Sequence, residues 1–232
     1  MQNNLIENIK KVRQSIVAIG FEPAPNQITI LGSGFIHQGR IITCAHLLNN
    51  LSEEHIAKLK ASVMIEQRER GLEVYNWLPI ILLAGKKDTV NDLAVFEFSG
   101  QKPQNTEGLA LGDSEKVEIG QDVYFIGFPY AVQLINDGFG ITLVANKGMI
   151  SNIKPDGSDP NLRKVWFIID AITNPGNSGC PVIDVQTNEV IGIISIAFRT
   201  KSQVEAFKDL DIREPMHIAG AKPINLVKEL LK

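Results

Sequence analysis

Cysteine is scarce in this chain. Only Cys44 and Cys180 occur in 232 residues, too few for a disulfide framework and without the Cys-x-x-Cys spacing of a metal site. Basic charge is not in excess: 23 Lys and Arg against 26 Asp and Glu leave a net charge of −3. That balance gives no electrostatic basis for nucleic acid or an anionic membrane as a partner. No apolar run is as long as a membrane span. The opening segment MQNNLIENIKKVRQ lacks an apolar core behind a basic start, so it does not read as a secretory signal, and a cytoplasmic protein is expected. Internal repeats and low-complexity tracts are missing too. Neither a metal nor a cofactor is expected.

What remains is an ordinary globular composition, 44% hydrophobic and 21% charged, long enough for a substantial core. Leu5, Ile6, Ile9 and Val12 recur at helical spacing, which predicts an amphipathic helix over 3–14. Beyond it, short runs rich in Ile, Val and Phe are punctuated by Gly, Asn and Pro. They predict strands near 15–20, 27–36, 40–44, 62–66, 78–84, 92–98, 122–127, 142–153, 165–170, 180–184, 189–198 and 217–221. So many short strands imply a sandwich or barrel, not βαβ units. Helices are expected at Ser52–Lys60, Gln203–Asp209 and Pro223–Lys232, with Ser52 as an N-cap and Pro223 in a first turn. The polar stretch between Ser99 and Gly120 suits a linker between two β domains. The expected division is a helix at 1–14, a β domain at 15–98, a linker at 99–120, a second β domain at 121–222 and a helix at 223–232.

Three segments carry chemistry. Asn174-Pro175-Gly176-Asn177-Ser178-Gly179-Cys180-Pro181 reads as a serine on a glycine-bracketed turn between apolar strands. A serine hydroxyl becomes a nucleophile only beside a base and oxyanion donors, so alone this turn fits a plain loop equally well. Arg40–His46 puts a histidine at the end of an apolar strand, and Asn91–Phe98 opens an alternating strand on Asp92. Each alone reads as structural. Together, His46, Asp92 and Ser178 follow one of the chain orders of a serine–histidine–aspartate triad. A G-x-S-x-G elbow fails, since it needs glycine at position 180 and an acid after the serine. Cys44 and Cys180 lie two residues from His46 and Ser178, where they read as packing residues or as a redox pair.

With GSGFI before the histidine, ITCAH around it, NDLAVFEF around the acid and NPGNSGCPVI around the serine, the chain resembles a chymotrypsin-fold (trypsin-like) serine protease. The closest likeness is to the HtrA/Deg protease domain, which EVIGIIS (189–195) and the final AKPINLVKELL also resemble. The resemblance runs from about Ser15 to Lys232. It implies an all-β fold of two six-stranded antiparallel Greek-key barrels, with the active site between them and short helices at the two ends. It implies Ser178 as nucleophile, His46 as base and then acid, and Asp92 as the group that orients the imidazole. Competing aspartates stand at Asp88, Asp113 and Asp122; Asp92 is preferred because Leu93-Ala94-Val95 follows it, as in the family. The oxyanion hole is implied at Gly176, Asn177 and Ser178, chiefly the amides of Gly176 and Ser178.

The same resemblance puts the walls of the substrate-binding S1 pocket at Ala171, Ile172, Thr173 and Ser195, Ile196, Ala197. Ile172 falls where a basic-specific protease has a carboxylate, so a small or medium apolar P1 residue is expected. Asn177 offers no carboxylate for a freed N-terminus, which argues against activation by N-terminal cleavage. A loop equilibrium that forms or disorders the oxyanion hole is the HtrA-like alternative. The polar insertion FRTKSQVEAFKDLDIREPM (198–216) is longer than the family's loop and reads as a surface excursion or a lid; Lys154–Lys164 reads as a mobile surface loop. No PDZ domain is expected after Lys232. The expected function is a serine endopeptidase acting on proteins or peptides. The alternative is a protease-fold binding module, or a latent protease switched on by a protein partner.

Overall fold

The computed structural model describes residues 2–24, 27–67, 73–104, 107–155, 163–201 and 213–232. Twelve strands form two closed six-stranded barrels. The first contains β1 (Ile16–Ala24), β2 (Gln27–His37), β3 (Arg40–Thr43), β4 (Leu59–Gln67), β5 (Glu73–Asp88) and β6 (Leu93–Phe98). Its spatial order is β1-β2-β3-β6-β5-β4. The second contains β7 (Asp122–Gly127), β8 (Val144–Pro155), β9 (Lys164–Asp170), β10 (Pro181–Asp184), β11 (Val190–Lys201) and β12 (Arg213–Pro223), ordered β10-β11-β12-β9-β8-β7. All ladders are antiparallel, and β1 opens with six consecutive buried residues. The expected pair of Greek-key barrels is borne out.

The unbroken apolar runs have a simple cause: the barrel walls that face each other are buried on both sides. Along β7, Val123 and Phe125 point into the second barrel, while Tyr124 and Ile126 join the core of the first. β10 divides the same way, with Val182 inside and Ile183 across the divide. Each fully buried Ile or Phe contributes roughly 1.5–3 kcal/mol relative to exposure. α1 (Gln2–Val12) adds Leu5, Ile9 and Val12 to the first core, and Asn8 Nδ2 donates to Val185 O in the second barrel at 3.0 Å. α4 (Ile224–Leu231) buries Ile224, Leu226 and Val227 in that same core.

Several boundaries differ from expectation. α2 is only Glu53–Ala57; Ser52 caps it by accepting the His55 N–H, but β4 begins at Leu59, inside the predicted helix. β5 runs for 16 residues because Glu73–Trp77 continue the ladder with β4 beyond the apolar segment. Pro223 is the extended cap residue before α4, at φ −60 and ψ 141, and not part of its first turn. α3 (Ala131–Asn136) was not anticipated. The described ends of the 198–216 insertion are strand, not loop: Arg199, Thr200 and Lys201 pair with Pro215, Glu214 and Arg213. The helix expected at Gln203–Asp209, and most of the 154–164 excursion, lie outside the described residues.

Candidate active site

The site is assembled from segments of both barrels. After β3 the chain enters a 3-10 turn, Ala45–Leu48, that carries His46. Asp92 ends the turn between β5 and β6. Asp88 organises that turn, its carboxylate accepting from the backbone N–H groups of Val90 and Asn91 and from the Asn91 side chain, at 2.6–2.9 Å. Asp92 takes φ +58, a left-handed conformation that aspartate tolerates better than most residues. The Ala45 N–H donates to Asp92 O at 3.2 Å and ties the two turns together. Ser178 lies on the turn that precedes β10.

These three side chains meet. His46 Nδ1 is 2.8 Å from Asp92 Oδ2, and His46 Nε2 is 2.9 Å from Ser178 Oγ. Asp92 Oδ1 accepts the His46 backbone N–H at 2.8 Å, and Oδ2 also accepts the Ser195 hydroxyl at 2.5 Å. Burial alone would raise the Asp92 carboxyl. The hydrogen bonds from the His46 ring, Ser195 and the His46 backbone outweigh it and hold the group below the usual carboxylate range. An ionised carboxylate at Nδ1 keeps the proton there and leaves the Nε2 lone pair facing the serine. The rival aspartates are engaged elsewhere: Asp88 in its own turn, Asp113 with Asn225 and the Glu115 N–H, and Asp122 with Lys147.

The serine turn depends on its glycines. Gly176 and Gly179 have φ of +98 and +88, and a Cβ on either would run into the carbonyl of Phe128 or of Ser33. Three amides of the turn are committed: Asn177 N–H to Asn174 O at 2.9 Å, Gly179 N–H to Ile194 O at 2.8 Å, and Cys180 N–H to Asn177 O at 3.0 Å. The amides of Gly176 and Ser178 have no acceptor among the described residues. Asn177 therefore differs from its expected role. It is buried, its Oδ1 accepts the Asn174 N–H, and its Nδ2 faces Cys180 Sγ, so it braces the turn from within.

Ser195 makes a contact that the sequence does not reveal. Expected in a wall of the S1 pocket, it turns its hydroxyl onto Asp92. The only signal in the sequence was a lone hydroxyl in the apolar run Val190–Ala197. Of the other residues expected in the pocket walls, Ala171 and Thr173 are buried, Ala197 is half-buried, and Ile172 and Ile196 are 47% and 42% exposed. Nothing acidic stands at 171–174, and Asp170 is an exposed residue at the end of β9. Cys44 and Cys180 are free and buried, with the Cys44 thiol donating to Ile194 O at 3.2 Å. Burial pushes the Cys180 thiol up to about 11 and Cys44 well above the ordinary range. Cys44, His46 and Asp92 have metal-capable atoms within 4.8 Å of one another, but these atoms are engaged in the hydrogen bonds just given.

The family model for the trypsin-like peptidase domain matches residues 32–193. The chain belongs to this family. Among curated members, it is 34% identical over 171 residues to a probable periplasmic serine endoprotease, DegP-like, of Halomonas elongata, covering 72% of this chain and 30% of that one. It is 28% identical over 177 residues to the putative serine protease HhoB of Synechocystis, covering 74% and 35%. Over 200 residues it is 28% identical to protease Do-like 5, chloroplastic, of Arabidopsis thaliana, covering 84% and 57%. The chain thus spans about a third of the length of the first of these relatives. The fold is shared with Deg5 (TM-score 0.62, 23% identity, 98% of this chain and 92% of that one) and with the HtrA-type protease AlgW with decapeptide (0.64, 19%, 98% and 66%). The HtrA/Deg likeness of the motifs is therefore borne out. The expected cytoplasmic location is in tension with the periplasmic naming of the DegP-like relatives. Among the described residues, no helix is long and apolar enough to cross a membrane.

Proposed function

We propose that this chain is a serine endopeptidase. The observation that carries the reading is the unbroken Asp92–His46–Ser178 hydrogen-bond chain, at 2.8 and 2.9 Å, beside two backbone amides with no acceptor among the described residues. Ser178 Oγ attacks the scissile carbonyl while its proton passes to His46 Nε2. The amides of Gly176 and Ser178 receive the oxyanion, each donor supplying about 3–4 kcal/mol in the transition state. His46 then gives its proton to the leaving amine as the C–N bond breaks, and an acyl-enzyme remains. Water repeats the cycle and releases the acid. Asp92 holds the imidazole and stabilises its cation, while Ser195 holds Asp92.

Residues 15–98 and 121–222 act in this reading as two half-sites joined by 99–120. The terminal segments 1–14 and 223–232, which contain α1 (Gln2–Val12) and α4 (Ile224–Leu231), brace them. Ile172, Ile196 and the half-buried Ala197 offer apolar surface and no carboxylate stands at 171–174 or 195–197, which supports a small or medium apolar P1 residue in a protein or peptide substrate. These two amides, without an acceptor among the described residues, also favour a site already formed at rest over one that waits for a partner. A cytoplasmic location remains part of the proposal and is checked by cell fractionation. The enzymatic reading is tested with a fluorophosphonate probe. Labelling of the wild type but not of Ser178→Ala is expected; a wild type that stays unlabelled contradicts it.

A further inference from the structure

The peptide bond between Pro175 and Gly176 decides whether the oxyanion hole exists. In a trans peptide the C=O and N–H point in opposite directions, so whatever holds the Pro175 carbonyl aims the Gly176 N–H. That carbonyl accepts the Tyr130 N–H at 2.8 Å. Tyr130 presents its amide from a left-handed conformation, φ +48, directly before α3. The next carbonyl, of Gly176, accepts the Ser33 hydroxyl at 2.7 Å, and the same hydroxyl accepts the Phe128 N–H at 2.9 Å. Phe128 lies two residues before Tyr130. The one hydroxyl therefore clips the Phe128–Tyr130 loop to the Pro175–Gly176 turn.

Every polar atom of Ser33 is used in this way. Its N–H donates to Ser178 O at 2.8 Å, and its own carbonyl accepts the Thr43 hydroxyl at 2.6 Å. The residue is fully buried on β2, so it reaches the nucleophile turn from the opposite barrel. The absence of a side chain at Gly127 leaves the space its hydroxyl occupies.

We infer that Ser33 is the positioning residue of the oxyanion hole. Its hydroxyl holds the 128–130 loop where the Tyr130 amide captures Pro175 O, and this keeps the Gly176 N–H facing the reacting carbonyl. The inference rests on the protease reading above and adds the residue that sets whether the resting site is formed. Removing the hydroxyl leaves the Phe128 N–H and Gly176 O without their partner, and frees the Pro175–Gly176 peptide to turn over.

The test is Ser33→Ala, read two ways. The first is kcat and KM on a cleaved peptide, with the fluorophosphonate labelling rate, well below the melting temperature. Losing one oxyanion donor lowers kcat about 10²-fold, with KM little changed, whereas a purely structural role lowers the melting temperature without changing the rate per folded molecule. The second is the crystal structure of Ser33→Ala in a Ser178→Ala background, expected to show Pro175 O released from the Tyr130 N–H. A folded Ser33→Ala with wild-type kcat, or with the Pro175–Tyr130 bond intact, overturns the inference. If Ser33→Ala does not fold, Tyr130→Pro and Tyr130→Gly replace it: proline removes the amide donor and glycine keeps it at a positive φ. The glycine variant is expected to react about 10²-fold faster than the proline variant, and equal rates overturn the inference. A wild type that reacts with no substrate or probe defeats the protease reading instead, and the crystal structure still decides the role of Ser33.

Discussion

Replacing Asp92 with asparagine changes one atom and reverses the logic of the site. Two carboxylate oxygens now meet three donors: the His46 backbone N–H, the His46 ring Nδ1–H and the Ser195 hydroxyl. An amide has a single acceptor oxygen, so its NH2 group must face at least one of them. With the oxygen on the His46 backbone N–H, the NH2 points at Nδ1 and forces that nitrogen to accept. The ring proton then moves to Nε2, against Ser178 Oγ, where the base is needed. A base in the wrong tautomer costs about 10⁴-fold in turnover, or roughly 5 kcal/mol of barrier. The assay is the second-order rate of fluorophosphonate labelling at neutral pH for wild type and Asp92→Asn, both checked as folded. Stability supplies a second arm. The Asp92 carboxyl is held below its usual range in the folded protein, so its contribution is present above the unfolded-state value, near 3.9, and is lost as the pH falls through the folded one. The stability gap between wild type and Asp92→Asn should therefore close on acidification. A labelling rate for Asp92→Asn within tenfold of wild type refutes the reasoning.

Ser195→Ala should lower turnover far less than Asp92→Asn, by about tenfold, since it removes one of three hydrogen bonds to a carboxylate that stays ionised; steady-state kinetics measure it. Gly179→Ala combines a positive φ with a side chain driven into Ser33 O, and should destabilise the fold by about 3 kcal/mol or more, read as a fall in melting temperature. The Cys44 and Cys180 thiols are buried, with raised proton affinities, so a thiol reagent at neutral pH should modify neither until the protein is denatured. Mass spectrometry showing both unmodified after mild oxidation would likewise set the redox pair aside.

The strands were legible because nearly every barrel wall alternates or is apolar throughout, as Ile16–Phe21 and Leu93–Phe98 are. Boundaries escaped where polarity hid the ladder. Glu73–Trp77 extend β5 on side chains that no hydropathy pattern marks, and Leu59–Lys60 leave a good helical segment to pair with β1. α3 has only six residues after Phe128-Pro129-Tyr130, too few to show a period. Of the site, His46, Asp92 and Ser178 could be found from chain order and local context, and the structure brings them into contact. The amide inventory could not be found that way. Whether the Gly176, Asn177 or Ser178 N–H is unengaged depends on peptide orientation, and Asn177 uses its own amide to close the turn. Ser33 and Ser195 were hidden for a related reason: each hydroxyl serves a residue far away in the chain, Gly176 for one and Asp92 for the other.

The central claim is that Ser178, activated by His46, performs acyl transfer at this site. Intact-mass spectrometry after reaction with a fluorophosphonate tests it most directly, because the adduct is covalent and its position can be mapped. The account predicts one adduct per chain, located on Ser178, absent from Ser178→Ala and strongly slowed in His46→Ala. A folded wild type that forms no adduct, or an adduct on another residue that persists in Ser178→Ala, would contradict it.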